Sequence, residues 1–327
     1  MDLYGAQAPF EATGLPTPDG SDVYIEGQAH LSHFALTDGE CQTIAFAVDG
    51  NLYDKDGYLM ADAKGEDCNQ CLEPGVMEML AIPVPGHCGL YYIVTSAPGN
   101  NVGPANAGLS VAVLDLALPS AYHAGRHGRL VNLDGELGDL YPNISFGNNA
   151  IVDGFVVNVA PDDDNKSNSP MLRAIKVGEA YWLYAVYATR VVQFKLDALG
   201  VVDVPTVAGD HIPVYLNQDP FQPKAFHRDA SVALATNGEV RLALTDQVLY
   251  PWPIKQGTPP TYPVLVMRFD PSNNGALLGV QGLSPNQNGY PDFQNANMVT
   301  TTDPGLLQDG PSGCAWVQNA SKLVVSG

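Results

Sequence analysis

Short apolar runs alternate with tight-turn residues along most of this chain, most clearly in residues 41–95. There IAFAV (44–48) and NLYDKDGYLM (51–60) are separated by Asp49-Gly50, and MLAIPV and LYYIVT follow. An Asp-Gly pair between apolar runs is typical of a β-hairpin, because glycine reaches positive φ at little cost. The stretch therefore predicts about four short strands in one meander, which is the content of one β-propeller blade.

The same alternation continues towards the C-terminal end. LSVAVLDLAL (109–118) indicates a buried strand, and residues 231–246 predict a hairpin around Asn237-Gly238. Residues 181–197 are rich in β-branched and aromatic side chains, which favours strands over a helix. At ~40–50 residues per four-stranded blade, 327 residues would hold about six or seven blades. We therefore expect an all-β fold: one β-propeller of about six or seven four-stranded blades, or part of one, with tandem β-sandwiches as the alternative.

The pattern divides the chain into two regions. Residues 1–40 read as an irregular N-terminal segment with one edge strand at residues 23–25, and residues 41–327 as the propeller. The final apolar run, residues 322–326, needs a neighbouring strand. We expect either that the propeller continues beyond this chain or that it closes by pairing this run with the N-terminal region.

Composition and charge agree with a soluble all-β protein. The 33 glycines and 26 prolines leave little room for long helices. The 35 acidic residues outnumber the 15 lysines and arginines, for a formal net charge of −20. Nucleic acids and anionic membranes are bound by basic patches, and none is visible, so we expect neither partner. A soluble, self-repelling surface is the simplest interpretation, and affinity for cations or calcium-bridged glycans is the alternative.

No targeting or membrane-spanning pattern is visible. Apolar windows stay well below the ~18–20 residues of a membrane span, and residues 1–30 lack a basic stretch followed by an apolar core. Either the protein is cytoplasmic, or it is exported by signals outside this sequence. The five cysteines favour export.

Four of the cysteines lie within residues 41–95. Cys68-x-x-Cys71, followed by Cys88, suggests zinc or a disulfide. A structural zinc ion would need a fourth ligand, and the nearby histidine is His87. Because oxidising compartments retain disulfides, we expect Cys68 or Cys71 to pair with Cys88, with Cys41 as a further candidate. Unpaired thiols are the alternative.

Two acidic turns carry the oxygen ligands that calcium prefers. One is DKDG at residues 54–57, and the other contains Asp162, Asp163 and Asp164 followed by Asn165. Neither has the remote bidentate glutamate of an EF-hand loop, so a solvated turn is the simpler interpretation of both. Calcium at Asp162, Asp163 and Asp164 is the alternative, and we expect no other cofactor.

Motifs of catalysis and phosphate binding are absent: the sequence has no GxSxG, HExxH, GxxxxGK[ST] or GxGxxG. His123 and His127 have i, i+4 spacing but follow a loop pattern, which indicates surface or hydrogen-bonded positions. Most aromatic residues fall inside predicted strands, where core packing is expected. Trp252, between two prolines, and Trp316 are the candidates for a sugar- or peptide-binding platform.

Five segments follow the order and spacing of strand pairs in a known family: DGNLYDKDGYLM (49–60), LAIPVPGHCGLYYIVT (80–95), SVAVLDLAL (110–118), YWLYAVYATRVVQFKLDALGVV (181–202) and GCAWVQNASKLVVSG (313–327). Together they resemble the WD40-like or YVTN-type β-propeller of secreted Bacteroidetes surface proteins, which are associated with gliding motility and type IX secretion. In the last segment, QNAS at residues 318–321 replaces the Ser-Pro-Asp-Gly turn of that family.

The resemblance implies a secreted or cell-surface setting and brings no catalytic residues with it. We therefore expect a non-enzymatic module for adhesion, protein binding or assembly of a surface structure, with loops 97–110, 162–170 and 205–223 as contact surface. Its partners would be other surface proteins, glycans or copies of itself. Two alternatives stay open. One is a polysaccharide hydrolase with carboxylates at the propeller channel, and the other is a filament subunit whose strand 322–326 pairs with another copy.

Overall fold

The computed structural model of the chain describes residues 24, 33–38, 42–48, 51–61, 78–96, 109–131, 136–146, 151–152, 155–156, 171–186, 191–201, 206–209, 227–246, 264–283, 299–300, 313–317 and 322–326. These residues form five β-sheets and one short helix, α1 (Glu136–Leu140). The all-β prediction is confirmed, and α1 was not predicted.

The first sheet is an antiparallel meander in the order β1-β2-β3-β4, with β1 (His33–Thr37), β2 (Thr43–Val48), β3 (Asn51–Asp54) and β4 (Leu59–Ala61). Val48 pairs with Asn51, which is the register that a hairpin at residues 49–50 requires. The run 51–60, counted above as one strand, contains two strands, because the chain reverses at Gly57 with a φ of 86°. This sheet begins before the predicted boundary at residue 41.

The second sheet has the order β5-β6-β7-β10-β9, with β8 also paired to β7: β5 (Glu78–Pro83), β6 (Leu90–Ser96), β7 (Leu109–Pro119), β8 (His127–Leu130), β9 (Ile151–Val152) and β10 (Phe155–Val156). β10 pairs at Val111 and β8 pairs from Leu114 onwards, so both lie along one edge of the long strand β7. Residues 41–95 therefore supply strands to two sheets and do not form one blade.

The third sheet has the order β11-β12-β13-β14, and β15 also pairs with β13: β11 (Met171–Val177), β12 (Ala180–Val186), β13 (Val191–Asp197), β14 (Gly200–Val201) and β15 (Thr206–Gly209). The prediction of strands over residues 181–197 is confirmed by β12 and β13. β15 lies inside the segment 205–223 that was interpreted as a loop.

The fourth sheet is a second four-stranded meander, β16-β17-β18-β19, with β16 (His227–Leu234), β17 (Val240–Asp246), β18 (Val264–Asp270) and β19 (Ala276–Leu283). Leu234 pairs with Val240, so the hairpin predicted at Asn237-Gly238 is confirmed. A 3-10 turn, Pro271–Asn273, follows β18; the Asp270 carboxylate accepts the Ser272 N–H at 2.9 Å and caps it.

The fifth sheet has three strands in the order β20-β22-β21: β20 (Val299–Thr300), β21 (Gly313–Val317) and β22 (Lys322–Ser326). The last strand, β22, pairs parallel to β20 on one side and antiparallel to β21 on the other. Residues 322–326, which were expected to need a neighbouring strand, therefore pair with β20 and β21.

By Cα proximity the chain forms two compact units. The first comprises Met1–Leu172 with Lys195–Val204, and the second comprises Arg173–Phe194 with Pro205–Gly327. The division passes through β11 and β13 of the third sheet.

Within the first unit, the first and second sheets share one hydrophobic core. β1 lies beside β5 and β4 beside β8. Alanine, leucine, isoleucine and methionine side chains from both sheets fill the space between them: Ala45, Ala47, Leu52, Met60, Ala61, Met79, Ile93, Ala112, Leu114 and Leu130. All ten are buried, which is the packing expected between two sheet faces.

The opposite faces of these two sheets are also covered. On the first sheet, the Tyr24 ring contacts Phe46 and Tyr53 edge-on, with ring centroids 5.4 Å apart in each pair. On the second sheet, the Tyr92 ring contacts Phe146 at 6.0 Å, and its hydroxyl donates to the Asp197 carbonyl at 2.8 Å. Consecutive residues of the central strands are therefore buried, on both sides of each sheet.

The second unit repeats this packing. Tyr184 of β12 contacts Phe269 of β18 with ring centroids 4.9 Å apart, and Arg173 of β11 donates to the Ala230 carbonyl of β16 at 2.5 Å. β21 lies beside β16 and β17. Strand β17 is buried at every position from Leu242 to Thr245, so both faces of the fourth sheet are covered along this strand.

Candidate functional site

A group of charged and aromatic side chains lies where the β3–β4 turn meets the loop between β7 and β8. We call it the turn cluster; its members are Asp54, Asp56, Tyr58, His123 and Arg126. It unites two features that the sequence presented separately, the acidic turn 54–57 and the first member of the His123/His127 pair. Both belong to the first unit.

Asp54 organises the turn. One of its carboxylate oxygens accepts the backbone N–H groups of Asp56 and Tyr58, each at 2.9 Å. The Asp54 N–H donates to the Tyr58 carbonyl at 2.8 Å, which closes the hairpin between β3 and β4. This local bonding is the reason why aspartate favours such turns. The simpler interpretation of this acidic stretch, a turn, fits the geometry.

Arg126 joins the two segments of the cluster. Its guanidinium donates to the Asp56 carboxylate at 2.5 Å, and its carbon Cζ lies 3.8 Å from the centre of the Tyr58 ring. The His123 ring also contacts the Tyr58 ring, in an edge-on arrangement with the ring centroids 5.0 Å apart. A planar guanidinium can stack on an aromatic face and bind a carboxylate at the same time, so arginine suits this position better than lysine.

The two carboxyl groups have pKa values displaced in opposite directions. Burial raises the pKa of Asp54 above its ordinary 3.8, although the two backbone hydrogen bonds and Arg126 act against this. The hydrogen bond from Arg126 lowers the pKa of Asp56 below 3.8. Neighbouring carboxyl groups with separated pKa values are characteristic of functional sites, and also of structural ion-pair networks.

A second group, the Asp115 cluster, lies where β7 pairs with β8 and consists of Asp115, Arg129, Glu136 and Tyr141. Asp115 is buried; it accepts the Ala117 N–H at 2.7 Å and the Tyr141 hydroxyl at 2.5 Å. Burial, together with this hydrogen bond, raises the pKa of Tyr141 to about 12. The cluster holds α1 against the second sheet, because Arg129 of β8 donates to both carboxylate oxygens of Glu136 in α1.

The chemistry available to the two clusters is limited by these contacts. Donors and acceptors are directed at one another, which fixes a turn in the first cluster and a helix in the second. Among the described residues, no three histidine, cysteine, aspartate or glutamate side chains come together as a metal site. Both arrangements are therefore best understood as supports for loops at the ends of the strands.

The cysteines are only partly described. Cys88 lies exposed in the turn between β5 and β6, and its thiol forms no disulfide with another described residue. Its neighbour His87 contacts the Tyr141 ring at 5.8 Å. Cys41, Cys68 and Cys71 lie outside the described residues, so the pairing of Cys68 or Cys71 with Cys88, with Cys41 as a further candidate, stays a prediction.

None of the other predicted site residues is a described member of the turn cluster or the Asp115 cluster. Asp162, Asp163, Asp164 and Trp252 lie outside the described residues, and calcium binding stays a prediction. Trp316 lies on β21, which pairs with β22. At the N-terminal end, Tyr24 lies outside any strand, and its neighbours in the segment 23–25 are not described.

Sequence reasoning missed most members of the two clusters. Asp56 and Arg126 are 70 residues apart in the chain, and no short-range pattern pairs them. A usable signal existed for Asp115, since an aspartate inside the apolar run LSVAVLDLAL needs a buried partner. That signal does not say that the partners are Tyr141 and a backbone N–H.

Within the described residues, no helix is long and apolar enough to cross a membrane. Comparison of the chain with protein-family models finds no match, and comparison with curated proteins finds none either.

Proposed function

We propose that this protein is a non-enzymatic binding module of the cell surface, built as a β-propeller in which each of the five described sheets is one blade. The order of packing supports this fold. In the first unit, the first sheet packs on the second. In the second unit, β12 of the third sheet packs on β18 of the fourth, and β21 of the fifth sheet lies beside the fourth. Sheets that follow one another in sequence are thus neighbours within each unit, as blades are in a propeller.

Burial of both sheet faces is the observation that carries the proposal. In a β-sandwich each sheet packs one face inwards and leaves alternate residues in water. Here consecutive residues are buried in central strands of four sheets, such as Phe46 with Ala47 and Leu183 with Tyr184. A sheet that is buried on both faces must lie between two neighbours, which favours a propeller over tandem sandwiches.

The ion pairs among the described residues support a structural role for these charged side chains. Arg126 binds Asp56, Arg129 binds Glu136, and Arg173 binds Asp229 at 2.9 Å. A glycosidase would instead keep two carboxyl groups directed at a substrate on either side of a cleft. Carboxylates that are held by arginines of the same unit stabilise the chain, so recognition is left to the loops and sheet edges.

The net charge of −20 indicates the chemistry of the partner. A surface of this sign attracts basic protein surfaces, and it binds acidic glycans only through bridging cations. The proposal therefore specifies two partner classes, a basic surface protein and a calcium-bridged glycan.

The test is a binding experiment with a readout for turnover. Full-length protein is applied to a glycan array with calcium or with chelator, and separately incubated with a panel of polysaccharides. We expect retention without shortening of the polysaccharide, and Trp252→Ala and Trp316→Ala test the predicted platform. Release of shorter products would overturn the non-enzymatic assignment. A crystal structure with sheets packed as separate sandwiches, instead of radially, would overturn the propeller.

A further inference from the structure

Two hairpin turns of the fourth sheet contain an Asn-Gly pair, a chemically labile dipeptide. Such pairs occur at residues 237–238, 274–275 and 288–289, and the structure describes the first two. The backbone nitrogen of the glycine can attack the side-chain amide of the asparagine, because glycine has no side chain to hinder the approach. Asn237 and Asn274 are both exposed. The surroundings of the two glycines therefore decide which pair reacts.

The pair between β16 and β17 lies in open space. Thr236, Asn237 and Gly238 are all exposed. Gly238 has φ 86°, and a Cβ atom built on it would meet no described atom within 4 Å outside the adjacent residues. Gly238 can therefore move without displacing a packed side chain.

The Asn237 side chain is already turned towards the backbone that follows it. Its oxygen Oδ1 accepts the N–H of Glu239 at 3.2 Å, which directs the amide carbon towards the intervening residue, Gly238. This oxygen gains negative charge when the Gly238 nitrogen attacks. An N–H group that is already bonded to it stabilises that charge, in the same way as a donor of an oxyanion hole.

The pair between β18 and β19 is packed. Gly275 is buried, and a Cβ atom on it would lie 2.5 Å from Cζ3 of Trp182 and 2.6 Å from Nε2 of Gln193. Its N–H donates to the Asp270 carbonyl at 2.9 Å, and its carbonyl accepts Nε2 of Gln193 at 2.7 Å. Movement of Gly275 would break both bonds and separate the turn from β12 and β13.

One hydrogen bond opposes the reaction at the open pair. The Gly238 N–H donates to the Ala235 carbonyl at 2.9 Å, so the turn must open before the nitrogen can attack. Opening of an exposed turn costs little free energy compared with opening of a packed one. This bond therefore slows the reaction at Asn237 less than packing slows it at Asn274.

We propose that Asn237 is a site of spontaneous deamidation in the folded protein and that Asn274 is protected. The Gly238 nitrogen forms a bond to Cγ of Asn237 while the bond from Cγ to Nδ2 breaks, and the proton of the Gly238 N–H leaves with the ammonia. Water then opens the cyclic imide at either of its two carbonyl groups, which gives aspartate or isoaspartate. The chain and water supply every atom of the reaction.

The modification places a new carboxylate beside the ion pairs of Glu239. The Glu239 carboxylate lies 3.8 Å from the Arg241 guanidinium and 3.7 Å from that of Arg268. A second carboxylate two residues away competes for these cations. In the isoaspartate product the main chain also becomes longer, which disturbs the two backbone hydrogen bonds that Ala235 makes across the turn. We therefore expect the aged protein to be more acidic and less stable.

Peptide mapping by mass spectrometry tests this inference on the full chain, stored at mildly alkaline pH in native buffer and, in parallel, in denaturant. In denaturant both pairs should deamidate at similar rates, because glycine follows each asparagine. In native buffer deamidation at Asn237 should exceed that at Asn274 by about tenfold or more, the ratio that ~1.4 kcal/mol of additional opening free energy gives. The matched control is Asn237→Ser, which keeps a turn-forming residue, lacks the amide and should leave the rate at Asn274 unchanged.

An unmodified Asn237 in the native protein, under conditions in which the denatured chain is modified there, would overturn the inference. Equal native rates at Asn237 and Asn274 would also overturn it, because the packing of Gly275 would then have no protective effect. The inference does not rest on the proposed binding function, so the two can be judged separately.

Discussion

Strands β17 and β19 belong to the same sheet and both carry leucines, yet these leucines differ in exposure. Leu244 of β17 is fully buried, and Leu278 of β19 is 44% exposed. β17 is hydrogen-bonded to a strand on each side, whereas β19 is the terminal strand of the sheet and is hydrogen-bonded to β18. Position within the sheet, and not hydropathy, decides which leucine is buried and which is exposed.

The strongest test of this comparison is a pair of leucine truncations. Leu244→Ala should lower the free energy of unfolding by about 2–5 kcal/mol, because it opens a cavity in a filled core. Leu278→Ala should change it by less than about 1 kcal/mol, because the side chain is 44% exposed. Denaturant unfolding of both variants gives the values. Equal losses would contradict the distinction between middle and outer strand.

Two glycines with positive φ, Gly200 and Gly86, likewise differ in how closely other atoms surround them. Gly200 has φ 107°, and a side chain there would overlap the carbonyl oxygen of Ser145; Gly86 has φ 78° with open space around it. Gly200→Ala should cost roughly 2–4 kcal/mol, from conformational strain plus steric overlap, and Gly86→Ala about 1–2 kcal/mol from strain alone. Thermal unfolding of both would show the order. A smaller loss at Gly200 than at Gly86 would contradict the close approach.

The turn cluster should respond less than the interior, because it lies at the edge of the fold. Arg126→Lys removes the stacking on Tyr58 but keeps the charge, and we expect a loss of about 0.5–1 kcal/mol in unfolding free energy. The matched control is Lys55→Gln, because the Lys55 side chain is 66% exposed and lies 3.6 Å from the Asp56 carboxylate. It should change stability by less than about 0.5 kcal/mol. A larger effect for Lys55 than for Arg126 would contradict the assigned contacts.

The smallest effect is a pH dependence within the same cluster. The pKa of Asp54 is raised, so its contribution favours folding below pH 3.8 and is lost as pH rises through the raised value. The pKa of Asp56 is lowered, so its contribution is present above pH 3.8 and is lost as pH falls through the lowered value. Relative to wild type, Asp54→Asn should therefore gain stability with rising pH, and Asp56→Asn should lose it. Unfolding curves at several pH values measure both, and slopes of the same sign would contradict this assignment.

Local features of the sequence predicted the strands well. Asn237-Gly238 located a hairpin because the turn chemistry is contained in two residues, and the same holds for the register between Val48 and Asn51. Turn residues mark where strands end but do not say which strands share a sheet. For this reason residues 41–95, interpreted as one blade, contribute to two sheets.

The features that the sequence did not predict are either too short to show a pattern or formed by residues far apart in the chain. Helix α1 has five residues, too few for a hydrophobic period to appear. The contact between Arg126 and Asp56 joins positions 70 residues apart. The exposure of Val280 follows from its place at a sheet edge, and the composition of ALLGVQGL alone is that of a buried strand.

Amide hydrogen exchange of β17 and β19 tests the central claim most directly. Residues 240–246 should be strongly protected, because a middle strand opens only with the sheet. Residues 276–283 should exchange faster, because a terminal strand can separate from β18 while the rest of the sheet stays paired. Equal protection of the two strands would contradict the account.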